Sequence, residues 1–171
     1  MFPIWYVLRC EEGKEKKAAE LLKRRYQSSG EAEFFLITFE RMRRYEGRWH
    51  CQEETLFRGF VFAEVDSQER LDNAAGLASV FQSFGNGGYS LRLMETEQNF
   101  LRDISGKSHH IEMSKGYIQK GVTFVTEGPL CGKECKICKI DRHKRIARIA
   151  SPLECCQGQG LWMGLEIVEK S

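Results

Sequence analysis

Nowhere in this chain of 171 residues does an apolar run approach the roughly 18 consecutive residues that a membrane-spanning helix needs, so no helical membrane protein is expected. The opening stretch from Met1 to Arg9 is apolar but short. It has neither a basic leading segment nor a small-residue cleavage site, and is expected to be a first strand and not a secretion signal. Charge of one sign is not in excess: 26 Lys and Arg against 24 Asp and Glu leave a formal net charge of +2, which says little about partners. Catalytic constellations are missing too. There is no Gly-x-Ser-x-Gly, no His-Glu-x-x-His and no phosphate-cradling glycine loop ahead of a helix. Gly85-Asn86-Gly87-Gly88 is a turn without the strand–helix context of a nucleotide site. The chain holds no internal repeat and no low-complexity tract. A cytoplasmic protein that is not an enzyme, bound to no membrane, is the expectation.

Cysteine, by contrast, is plentiful, with seven residues. The number is odd and no secretion signal precedes them, so a disulfide framework is not expected. Cys131, Cys135 and Cys138 with Cys155 and Cys156 have a spacing that tetrahedral zinc can use. The same thiols also serve as small apolar side chains, and Cys135 and Cys138 straddle a strand without having to face one way. No metal and no cofactor is assigned. His109-His110 matches no ligand spacing.

The first two thirds of the chain alternate strand and helix signals. Ile4–Leu8 is rich in β-formers, and Gly13–Arg25 is a helix with Ala18, Leu21 and Leu22 forming one apolar stripe. Glu33–Phe39 is a buried-type strand. Glu46-Gly47, between Arg44-Tyr45 and Arg48-Trp49, marks a hairpin projecting from the sheet. Phe57–Val65 is the strongest strand signal, Ser67–Leu77 a helix, Val80-Phe81 a short strand and Glu95–Ile104 a closing helix. This order predicts an α+β fold, a sandwich of helices on a mainly antiparallel sheet, over residues 1–104. The polar stretch at 105–116 is expected to be a linker. Residues 117–171 carry only short strands, at Gly116–Val125, Lys136–Asp141, Arg145–Ala150 and Gly164–Glu169, which suggests a small all-β barrel.

Near-neutrality hides a local asymmetry. Within residues 131–148, seven Lys and Arg face two acids, a candidate anion-binding face. The side chains concerned are Lys133, Lys136, Lys139, Arg142, His143, Lys144, Arg145 and Arg148, and they suit RNA phosphates or simply keep a loop soluble. Arg41, Arg43, Arg44 and Arg48 on the hairpin, beside Tyr45 and Trp49, suit a nucleic-acid strand, with guanidinium on phosphate and rings on bases. A solvated charged face is the plainer alternative. Tyr6, Phe57 and Phe60 are expected in an apolar patch that docks a partner helix, with core packing as the alternative for each ring.

Several of these segments resemble a known family. Ile4-Trp5-Tyr6-Val7-Leu8 with the following helix is similar to the opening of the NusG transcription elongation factors. Leu56-Phe57-Arg58-Gly59-Phe60-Val61-Phe62 resembles their L-F-P-G-Y-V-F strand, with arginine in place of proline and phenylalanine in place of tyrosine. Val125-Thr126-Glu127-Gly128-Pro129-Leu130-Cys131-Gly132 resembles the start of a KOW motif. Within the family, Glu40 to Trp49, Lys139 to Arg145 and Gly164 to Val168 look like the LoaP branch of specialised paralogues. The resemblance implies a NusG N-terminal domain that binds the clamp helices of RNA polymerase through Tyr6, Phe57 and Phe60, followed by an SH3-like KOW barrel that contacts a leader RNA hairpin. It implies antitermination in particular operons; a monomer is expected, and on a polymerase-bound factor the basic hairpin is expected to reach non-template or upstream DNA. The alternatives are a general elongation factor whose KOW domain binds the ribosome or a termination factor, a zinc- or thiol-dependent regulator, and a KOW protein of ribosomal RNA.

Overall fold

Branched and aromatic side chains fit a pleated, half-buried surface, and Ile4–Arg9 accordingly forms strand β1. The computed structural model describes residues 3–26, 32–65, 90–153 and 160–171. After β1 come α1 (Glu15–Tyr26), β2 (Glu33–Phe35), β3 (Thr38–Tyr45), β4 (Arg48–Thr55), β5 (Phe60–Val65), β6 (Ser90–Arg92) and α2 (Glu95–Ser105). Then follow β7 (His110–Ile111), β8 (Ser114–Gln119), β9 (Val122–Glu127), β10 (Ile137–Asp141), β11 (Ile146–Ile149) and β12 (Leu161–Lys170). Compactness divides the chain into one unit of residues 1–36 and 57–98 and another of residues 37–56 and 99–171.

The first unit holds an antiparallel sheet in the order β2-β5-β1-β6. Strand alternation sorts its side chains onto two faces. One face carries Leu8, Val61, Ala63 and Phe34, and Ala18, Ala19 and Leu22 of α1 pack on it. The buried positions of the helix are Glu15, Ala18, Ala19 and Leu22, an i, i+3, i+4, i+7 stripe. Leu21, expected in that stripe, is 39% exposed, because the helix turns its Ala19 edge to the sheet instead. The opposite face is aromatic. Trp5 meets Phe35 edge-on at 4.8 Å, and Phe35 stacks on Phe62 at 5.7 Å. Burying a side chain such as Leu22 or Phe62 completely contributes roughly 1.5–3 kcal/mol.

In the second unit, β3 and β4 make a hairpin in which Tyr45 pairs with Arg48. Its turn residues Glu46 and Gly47 have φ of 51° and 73°, the mirror-image turn whose twist matches that of the strands. Short β7 adds in parallel to β3, giving the order β4-β3-β7. A second sheet has the order β10-β11-β12-β8-β9, antiparallel except where β12 meets β8. Gly164 of β12 lies against β3: a Cβ there would sit 2.6 Å from the Glu40 carbonyl and 2.0 Å from Met113 Sδ. Only glycine permits that approach.

Five expectations change. The Glu33–Phe39 strand breaks at Leu36-Ile37, so that Phe35 stays in the first unit while Thr38 begins the hairpin. β5 starts at Phe60 and not at Phe57, because Arg58-Gly59 forms a turn, with Gly59 at φ 78° and its carbonyl accepting Cys10 N–H at 2.8 Å. The strands form three separate sheets with two helices among the described residues, a mixed α/β arrangement and not one clear sandwich. The hairpin, expected to project from the first sheet, pairs instead with β7. Residues 105–116, expected as a polar linker, include β7 and the fully buried Ile111, with Thr38 Oγ1 hydrogen-bonded to His110 Nδ1 at 2.7 Å. The expected Ser67–Leu77 helix, the Val80-Phe81 strand, the Gly85–Gly88 turn and the Cys155-Cys156 pair lie outside the described residues.

Candidate nucleic-acid interface

β10 and β11 are joined by a turn in which Asp141 Oδ1 accepts the Lys144 N–H at 3.0 Å. That bond is the main cause holding the Asp141 carboxyl below its usual range; slight desolvation opposes it, and the neighbouring Lys144 and His143 add to it. The turn therefore displays Arg142, His143 and Lys144 together, all exposed. Lys139 on β10 pairs with Arg148 on β11, and both are exposed. These five side chains make no ion pair with a described residue.

The other three basic positions expected in this patch are engaged within the second unit. Lys133 Nζ lies 2.7 Å from Asp103 Oδ2, and Lys136 Nζ sits 4.9 Å from the centre of the Phe100 ring. Arg145 closes the turn at φ 53°, a left-handed backbone uncommon for any residue but glycine. Its guanidinium lies over the Trp49 ring at 4.1 Å, and Nη1 is 3.3 Å from Glu166 Oε1. The patch thus reduces to a strand–turn–strand segment, and local sequence density did not reveal which cations were spoken for.

On the hairpin, strand alternation divides the arginines. Arg41 and Arg43 share a face and converge on Glu54, with Arg43 Nη2 at 2.6 Å and Arg41 Nη1 at 3.6 Å. Desolvation pushes the Glu54 carboxyl up, but the two guanidinium groups outweigh it and hold the group low. Arg44 and Arg48 are exposed. Trp49, expected as a base-stacking ring, is half-buried under Arg145. Tyr45, 45% exposed, instead stacks on His50 at 3.7 Å. The role of Glu54 escaped the sequence reading, although the hairpin register alone puts Glu54 one diagonal from Arg41.

The aromatic set of the first unit is not brought together. β1 pairs Tyr6 with Ala63 and Arg9 with Phe60, which puts Tyr6 on the α1 face and Phe60 on the face of Phe62. Phe57 is 4% exposed, its ring 5.4 Å from that of Phe62, so it belongs to the core and not to an exposed patch. Tyr6 and Phe60 are half-buried, and burial pushes the Tyr6 hydroxyl upward against the lowering effect of Arg92. Glu15, at the start of α1, accepts the Gly59 N–H at 2.7 Å and the Gly13 N–H at 3.1 Å. Burial raises that carboxyl, yet these backbone bonds and Arg58 hold it low.

Cys131, Cys135 and Cys138 are exposed free thiols, and no group of three metal-ligating side chains forms among the described residues. No helix there is long and apolar enough to cross a membrane.

Residues 3–102, more than half of the chain, match the family model described as transcription termination factor NusG. A solved structure described as "Domain interaction in Thermotoga maritima NusG" is similar over 96% of this chain and 94% of that one, at 17% identity and a TM-score of 0.49. No curated protein matches this chain in sequence.

Proposed function

The chain belongs to the NusG family of transcription factors, which are not enzymes, and from that premise we propose that it is a LoaP-like antitermination factor that holds RNA polymerase with one module and leader RNA with the other. The first unit binds the polymerase clamp helices, with the half-buried Tyr6 and Phe60 as contacts on its two faces and Phe57 held in the core. The basic segment Lys139, Arg142, His143, Lys144 and Arg148, borne on an SH3-like KOW barrel, binds the leader hairpin. Arg44 and Arg48 of the hairpin reach non-template or upstream DNA, while Arg41 and Arg43 are held by Glu54. The protein works as a cytoplasmic monomer.

One observation carries this reading: among eight clustered basic residues, those with internal partners face acids or rings, while the remaining five stand exposed on one strand–turn–strand segment. An aspartate that orients the turn, through the Lys144 amide, makes the display ordered. Tethering then raises the local concentration of each module near nascent RNA, so weak contacts suffice. A factor that prefers the closed clamp disfavours paused polymerase, since a ligand shifts an equilibrium only by preferring one state.

Binding of the full chain to leader transcripts at several salt concentrations tests the proposal. Replacing Arg142 and Lys144 by Gln should lower the salt slope by about 0.9 for each lost phosphate contact and cut terminator readthrough in a purified system. Unchanged affinity and slope refute the RNA assignment. A second reading, a general factor whose C-terminal part binds a ribosomal or termination protein, is supported by a different surface. There Phe124, 41% exposed, stacks on Tyr117 at 5.1 Å, and Val122 two residues before it on β9 is 54% exposed. Loss of protein capture by Phe124→Ser with RNA affinity intact favours it.

A further inference from the structure

The register of the five-stranded sheet extends the basic row by one more residue. Lys139 lies opposite Arg148, and Arg148 lies opposite Trp162 on β12. Paired residues point to the same face. Strands stand about 4.8 Å apart, so the three side chains span roughly 10 Å in one line across the sheet. Their neighbours Ile140, Ala147 and Met163 pair in the adjacent row and point to the other face, where Ala147 and Met163 are fully buried. Trp162 is only half-buried although it sits between the buried Leu161 and Met163. Arg148 is steered rather than free to wander: its stem lies along Gly160, where a Cβ would meet Arg148 Cγ at 2.6 Å and Cδ at 2.7 Å. The missing Cβ of Gly160 leaves that space to the arginine stem.

Two cations and an indole face in one row match an unpaired nucleotide, with phosphate on Lys139 and Arg148 and the base stacked on Trp162. A duplex hides its base faces and offers phosphates only. We propose that Trp162 is a stacking platform for a single-stranded nucleotide and, with Lys139 and Arg148, forms a subsite for the loop or flank of the RNA. This rests on the RNA-binding reading above and adds to it the kind of nucleotide recognised.

The test uses the full chain with an oligouridine of about twelve residues, the matching oligothymidine and a blunt RNA duplex. Trp162→Ala should weaken oligouridine binding about 5- to 150-fold, the effect of losing one base–aromatic stack. It should leave the salt slope and duplex binding unchanged, because the ring carries no charge. Trp162→Phe, which keeps a stacking face, should restore most of the affinity. Lys139→Gln with Arg148→Gln should instead lower the single-strand slope by about 1.4. An equal loss with oligothymidine extends the subsite to both sugars and supports the assignment as well. If Trp162→Ala does not fold, fluorescence decides: Trp5 is buried and Trp49 lies under Arg145, so oligouridine should quench the emission of Trp162, and Trp162→Phe should abolish the quenching. Oligouridine binding that is indifferent to Trp162, or binding without quenching, overturns this proposal and spares the RNA reading. A chain that binds no RNA at all overturns both.

Discussion

Removing the Glu15 carboxylate should weaken the first unit more than any exposed charge can. The residue is 7% exposed, and one oxygen accepts two backbone donors, Gly59 N–H at 2.7 Å and Gly13 N–H at 3.1 Å. The first of these bonds ties the start of α1 to the Arg58-Gly59 turn, which sets the direction of Phe57 before it and Phe60 after it. A hydrogen bond to a charged group is worth about 1.5–3 kcal/mol, and a buried amide left without an acceptor costs about 1–3 kcal/mol. Glu15→Ala should therefore cost about 3 kcal/mol, a fall in Tm of roughly 6–12 °C for a chain of this length. Glu15→Gln keeps an acceptor and loses the charge, so its cost should be smaller, about 1 kcal/mol. The pH dependence separates the causes. The carboxyl is held low in the folded state, so its stabilisation is present above the unfolded value of about 4.3 and is lost as pH falls through the folded value. The gap between wild type and Glu15→Gln should be flat above about pH 5 and should close as the solution is acidified below it. Urea unfolding followed by circular dichroism across pH 3–7 measures both quantities. A Glu15→Ala cost below about 0.5 kcal/mol, the range of an ordinary surface substitution, refutes the latch. A gap that persists unchanged to pH 3 refutes the charge as its cause.

Gly164→Ala should destabilise the second unit by about 1–3 kcal/mol, since the added methyl meets the Glu40 carbonyl and Met113 Sδ; thermal unfolding by near-ultraviolet circular dichroism checks it, and an unchanged transition refutes the close approach. Cys10, whose thiol is pushed up to about 11 by burial and then by Glu15 and Glu11, should react with iodoacetamide at pH 8 about 100-fold more slowly than an ordinary thiol. Peptide mass mapping should find it modified after the exposed Cys51, Cys131, Cys135 and Cys138, and early labelling refutes its placement.

Much of this chain was legible from residue order because its signals are local. The turn at Glu46-Gly47 needs positive φ, β1 needs branched and aromatic residues, and the two described helices announce themselves by acidic first turns and apolar spacing. The basic cluster at 131–148 was visible for the same reason, since charges close in sequence are close in space. What one residue faces across a sheet is another matter, because it depends on register between segments far apart in the chain. Sequence density counted Lys133, Lys136 and Arg145 with the rest; only tertiary contacts with Asp103, Phe100, Glu166 and Trp49 set them apart. Tyr6, Phe57 and Phe60 look alike as aromatics near a sheet, yet the β1–β5 register and the Arg58-Gly59 turn send them to different faces and burials. Trp162 reads as an isolated ring until β12 pairs with β11 and aligns it with Arg148. Sequence alone determined β1, the two described helices, the Glu46-Gly47 turn and where positive charge gathers; folding decided where the other strands begin and end and which cations and rings remain open to a partner, since that follows from long-range pairing that no local pattern encodes.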